Sequence, residues 1–105
     1  MERISFDFDG VLTNEAGRQL LKQKRNDGNE IWIITARRYP SDGNDAVLDF
    51  ARENNIPVEN IVFTGGRDKY EFIEKYRIET HYDNNPEQIE KINRLTKSRG
   101  VLLKR

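Results

Sequence analysis

The sequence predicts an α/β fold: a right-handed, mostly parallel five-stranded sheet with helices packed against it. Three observations carry this. Short apolar runs alternate with polar stretches of helical character, and the connections between them are short. At 105 residues the chain has room for one compact domain, and no repeat, low-complexity tract or linker divides it. Residues 1–105 therefore read as a single domain. Hydrophobic residues make up 35% and charged residues 34%, so the core must be lean and the surface strongly charged.

Residues 4–9 form the first strand, with Phe6 and Phe8 on one face and Ser5, Asp7 and Asp9 on the other. Residues 17–27 are a polar helix carrying only Leu20 and Leu21, with Gly28 placed to cap its end. Residues 31–35 are continuously apolar around Trp32, as expected of a parallel strand covered on both faces. Residues 45–54 place Val47, Leu48 and Ala51 on one helical stripe. Residues 61–64 repeat the strand pattern, and residues 68–76 open a helix with Asp68 and Glu71 at capping-box spacing. Residues 78–83 are a more polar strand that belongs nearer an edge. Asn85, Pro86 and Gln88 supply an N-cap, a first-turn proline and a second box for the last helix. Residues 101–103 close the sheet.

Composition narrows the function. Lys+Arg and Asp+Glu both number 18, which argues against a nucleic-acid coat protein or a membrane-surface binder. No apolar run approaches the ~18 residues of a membrane span, and the chain starts without a basic-then-apolar leader pattern. Zero cysteines exclude disulfides, thiolate zinc sites and cysteine nucleophiles. A small cytoplasmic protein without a membrane partner is the expectation. Residues 91–105 hold Lys91, Arg94, Lys97, Arg99, Lys104 and Arg105 with no acid. Such a cluster is compatible with a nucleic-acid footprint, but no aromatic interleaves it to stack on bases, which favours a solvated helix face and tail.

In parallel sheets ligands bind beyond the carboxyl ends of the strands, and chemistry-bearing residues gather there. DFDGVLT at residues 7–13 ends the first strand. Two carboxylates two residues apart repel and raise each other's pKa unless a cation or a division of roles separates them. Gly10 permits an unusual backbone turn just after them. Thr35 ends the second strand with a hydroxyl and free backbone N–H groups beyond it. Lys69 stands in the first turn of a helix, where a cation and the helix dipole both favour phosphate, with Arg67 its rival. Asp83 ends the fourth strand, followed by Asn84 and Asn85. A nucleophile candidate, an acid/base, a hydroxyl, an ammonium and a remote carboxylate are the parts of phosphoryl transfer to a carboxylate. Oxygen-only ligands favour a hard ion, Mg²⁺, over zinc.

The order and strand placement of DFDGVLT, Thr35, Lys69 and Asp83 resemble the haloacid dehalogenase superfamily of phosphohydrolases, from residue 4 to about residue 103. The resemblance implies a Rossmann-like three-layer sandwich with a small flap at residues 10–16. It implies that Asp7 is the nucleophile forming an aspartyl-phosphate, and that Asp9 is general acid and then base. Thr35 and Lys69 would hold the phosphoryl oxygens. Asp7, the backbone carbonyl of Asp9 and Asp83 would hold Mg²⁺. The activity implied is phosphomonoester hydrolysis, with nucleotides or nucleic-acid termini favoured among phosphorylated substrates.

Two departures from the pattern matter. The family's cap domain has no room here, since about twenty residues separate Gly10 from Ile31; the chain is similar to capless members. An open site suits a bulky phosphate, or a second copy of the chain closing it as a homo-oligomer. The fourth motif usually carries two acids, but here Asp83 is followed by Asn84, and the acid four along is Glu87. Asn84 would orient a metal-bound water and Glu87 would stand in for the missing acid. Weaker metal binding follows, and the rival reading is a noncatalytic phosphate- or metal-binding module of the same fold. His81, the only histidine, reads as structural or exposed. Arg37 and Arg38 are balanced between substrate contact and a solvated loop pair.

Overall fold

The computed structural model describes residues 1–40 and 43–104; Arg105 of the basic segment lies outside the described residues. Five strands, β1 (Arg3–Phe6), β2 (Glu30–Thr35), β3 (Ile61–Phe63), β4 (Thr80–Asp83) and β5 (Arg99–Leu102), form one sheet. Its order is β3-β2-β1-β4-β5, and every adjacent pair is parallel. Helices α1 (Glu15–Asn26), α2 (Asp45–Glu53), α3 (Lys69–Lys75) and α4 (Pro86–Leu95) complete the chain. This is the Rossmann-like three-layer α/β fold, with no cap domain among the described residues.

Alternation along the strands builds two cores. Ile4, Phe6, Ile31 and Ile33 join Leu21, Val47 and Ala51 under α1 and α2. Trp32, Ile34 and Val62 join Ile73 and Ile92 under α3 and α4. Each fully buried side chain of this kind contributes about 1.5–3 kcal/mol. The radius of gyration is 12.4 Å, close to the ~13 Å expected of one domain of this length. No helix among the described residues is long and apolar enough to cross a membrane.

Several boundaries differ from the sequence reading, each for a local reason. β1 stops at Phe6, because residues 8–12 wind into a wide helical turn broken at Asp9 and Gly10, where Gly10 adopts φ 82°. Residues 10–16 therefore form no projecting flap: Val11 and Leu12 are buried and α1 starts at Glu15. The polar β4 lies near an edge as expected, one strand in from β5, but it is not a solvated strand. Its four residues are all buried, since Thr80, His81 and Asp83 find side-chain partners inside the fold. Asp68 makes no capping bond; its carboxylate instead accepts from Gln88 and Lys91 of α4. Asn85 does cap α4, accepting from the Glu87 N–H at 3.0 Å.

Gly17 ties α1 to the turn after β1. A Cβ there would lie 2.0 Å from the Val11 carbonyl oxygen, a backbone atom that cannot swing aside. Gly17→Ala is expected to cost about 3 kcal/mol or more, at or beyond the usual limit for overpacking. Urea denaturation measures it, and a variant as stable as the wild type would contradict this packing.

Candidate active site

The strand order reverses direction at β1 and β4, the switch point where open α/β sheets leave a crevice at their carboxyl ends. A polar cavity of about 360 Å³ lies there, lined by Asp7, Asp9, Ala36, Arg67, Lys69, Asp83 and Asn84 among others. A separate, more apolar cavity of about 320 Å³ between Gly10, Val11 and Leu103 contains no carboxylate.

Asp7 leaves the end of β1 and Asp83 the end of β4, with α3 crossing beside them. The Lys69 ammonium donates to Asp7 Oδ1 at 2.8 Å and to Asp83 Oδ2 at 2.8 Å. All three side chains are at least nine-tenths buried. Asp7 Oδ1 also accepts from the Phe8 N–H, which leaves Asp7 Oδ2 without a donor among the described residues. Asp83 Oδ1 accepts from the Asn85 N–H at 3.0 Å. The start of α3 is fastened from the side by Gln88, whose Oε1 accepts from the Lys69 N–H at 2.9 Å. Gln88 therefore serves the site and not a capping box.

His81 is wholly buried on β4. Its Nε2 lies 2.8 Å from Asp83 Oδ2 and its Nδ1 2.6 Å from Ser5 Oγ. Burial pushes its pKa down, so the ring is neutral near pH 7. An ionised carboxylate only accepts, so Nε2 carries the proton and Nδ1 accepts from the Ser5 hydroxyl. Two carboxylates and one ammonium leave a net negative charge in a buried site. Burial pushes Asp7 up to about 6, with the nearby Asp83 charge adding to the rise and Lys69 opposing it. Burial also acts to raise Asp83, but the His81 hydrogen bond and the Lys69 charge outweigh it and hold Asp83 well below the usual carboxylate range.

The sequence reading put Asp7 and Asp9 on one strand face; the turn after Phe6 separates them. Both line the cavity, yet Asp9 is half-exposed and gripped by Arg37, whose Nε and Nη2 donate to its two oxygens at 2.9 and 2.8 Å. That hydrogen bonding holds the Asp9 carboxyl below its ordinary value. The guanidinium also lies over the Phe8 ring, 5.2 Å from its centroid. In this arrangement Asp9 is held as the ionised carboxylate, and the Arg37 fork opposes its protonation. Arg37→Met is expected to let its pKa return toward the usual range, read by carbon NMR titration; an unmoved Asp9 would contradict the attribution.

Thr35 ends β2 fully buried, its hydroxyl oxygen accepting from the Arg37 N–H at 3.2 Å. Ala36 is the neighbour that lines the cavity there. Asn84 lines the cavity, whereas Glu87 is a correction. It is exposed and pairs with Lys91 at 3.4 Å, because the first turn of α4 sets it on the Lys91 side, one helical turn away. Four functional features escaped the sequence reading: the Arg37 clamp, the Gln88 fastening, the His81 contact and the buried Ser5. None has a local signature.

The donor set fits a hard divalent cation in part. Among the described residues no three His, Cys, Asp or Glu side chains cluster as a complete metal site. Asp7 and Asp83 supply two carboxylates with unused lone pairs and an uncompensated charge. The Asp9 carbonyl and water would complete the shell, a pattern that suits Mg²⁺, which keeps several waters.

No protein-family model matches the chain. An uncharacterized protein of Acanthamoeba polyphaga mimivirus is 28% identical over 114 aligned residues, which take in 80% of this chain. The chain spans 22% of the length of that relative.

Proposed function

We propose that the protein is a Mg²⁺-dependent phosphatase that hydrolyses phosphomonoesters through an aspartyl-phosphate on Asp7. The observation that supports this best is the buried Asp7–Lys69–Asp83 bridge at the switch point: a carboxylate with one free oxygen, beside a cation, at the floor of a polar cavity. Asp7 and Asp83, with the Asp9 carbonyl, would hold the cation, which when bound neutralises charge between nucleophile and phosphate. Asp7 attacks phosphorus as the ester P–O bond breaks, and the leaving oxygen takes a proton from Asp9. Water then attacks phosphorus, Asp9 takes a water proton, and the Asp7 carboxylate is released with inorganic phosphate. Lys69 offsets charge on the phosphoryl oxygens, and Thr35 supports the loop behind them. Asp9 must be protonated before it donates, so the Arg37 fork has to loosen; the incoming phosphate is an anion that competes for that guanidinium.

The capless site would admit bulky esters such as nucleotides or nucleic-acid ends, or be closed by a second copy of the chain. A cytoplasmic setting accords with the absence of cysteine. One observation favours the rival, a noncatalytic phosphate- or metal-binding module: Glu87 does not supply the acid that Asn84 lacks. Phosphate release from an aryl phosphate and from phosphorylated oligonucleotides, with and without Mg²⁺, tests the proposal. Mg²⁺-dependent release is expected; binding of both ions without turnover would favour the module.

A further inference from the structure

We propose that Ser5 and His81 form a buried donor chain that positions the Asp83 carboxylate, and through it Lys69, for cation binding. The inference rests on the cation reading of the site and goes further, assigning a role to two residues that touch neither substrate nor metal.

The core between the sheet and helices α3 and α4 is apolar, with Trp32, Ile34 and Val62 of the strands packed against Ile73, Ile78 and Ile92. Ser5 and His81 interrupt it side by side, as partners in the parallel register of β1 and β4, and neither has any exposure. A hydroxyl and an imidazole set in such a layer lose their water, and an apolar pair would fill the same place without that loss. Their hydrogen bonds run in one direction: Ser5 Oγ to His81 Nδ1 at 2.6 Å, then His81 Nε2 to Asp83 Oδ2 at 2.8 Å. Asp83 is consequently held at three points, by His81 and Lys69 on Oδ2 and by the Asn85 N–H on Oδ1. One carboxylate orientation remains, with a lone pair of Oδ1 uncommitted and Lys69 braced against Asp7.

His81 is thus a positioning residue, and its signature is cation affinity and not stability alone. Mn²⁺ binding to the intact chain, titrated by electron paramagnetic resonance, reads it directly. His81→Leu, which removes both bonds, is expected to weaken Mn²⁺ binding by about ten- to a hundredfold, the usual effect of losing a group that orients a metal ligand. His81→Gln, whose amide N–H can still reach Asp83, should restore most of the affinity. Ser5→Ala should lose several-fold, and it decides the matter should His81→Leu fail to fold. Folded variants that bind Mn²⁺ as the wild type does overturn the proposal while leaving the cation site standing. A wild-type protein that binds no Mn²⁺ overturns the cation reading and this inference together.

Discussion

Asp7→Asn is expected to abolish phosphate release, by at least about a thousandfold, in a protein that remains folded. The amide keeps the shape of the side chain and can still accept from Lys69 and the Phe8 N–H, but it offers no carboxylate oxygen to attack phosphorus. Stability should move the other way. The buried Asp7 carboxyl is pushed up to about 6 from an ordinary 3.8, so the folded chain holds this proton more tightly than the unfolded one. The stability from that proton is full below the unfolded value and is lost as pH rises through about 6. Asp83 has the opposite sign. Its depressed pKa contributes stability above the ordinary range that fades on acidification. Comparing wild type with Asp7→Asn isolates the first effect. Without divalent ions the variant should lose less stability than the wild type between pH 4 and 6, and match or exceed it at pH 7. Urea denaturation across pH 4–8 measures this. An unfolded variant, or one that still turns over, contradicts the assignment of Asp7.

Lys69→Met is expected to give the largest loss of stability. The ammonium bridges two buried carboxylates at 2.8 Å each, and removing it leaves two like charges facing one another. Breaking a buried pair costs about 3–5 kcal/mol, a fall in Tm on the order of 15 °C for a domain of this size. Both carboxyl groups would then bind protons more readily, so the deficit should shrink on acidification toward pH 5. Millimolar Mg²⁺ should raise the Tm of this variant more than that of the wild type, since the ion restores the missing positive charge. A variant as stable as the wild type at pH 7 without added cation would show that the bridge does not hold the site together.

Local sequence carries part of this architecture. Apolar runs located most of the strands and a helical stripe located α2, while polar composition and capping residues located α1, α3 and α4, because burial and helix ends each leave a local signature. Asp7 and Asp83 were legible because the carboxyl ends of parallel strands face the crevice, and Lys69 because it opens the helix after one of them. The polarity of His81 and Thr80 placed β4 nearer an edge, where it lies beside β5, but gave no sign that both side chains are buried. The flap failed on Val11 and Leu12, apolar residues that the core takes in.

What the sequence by itself determined is the fold class and the strand ends at which chemistry-bearing side chains stand. Tertiary structure alone decided which of them meet. Ser5 and His81 are 76 residues apart, Lys69 and Asp7 are 62 apart, and Arg37 and Asp9 are 28 apart. Glu87, four residues from Asp83, turns to Lys91 instead. Strand register and helix phase set these pairings. Both follow from packing over the whole sheet, which no short window of sequence contains.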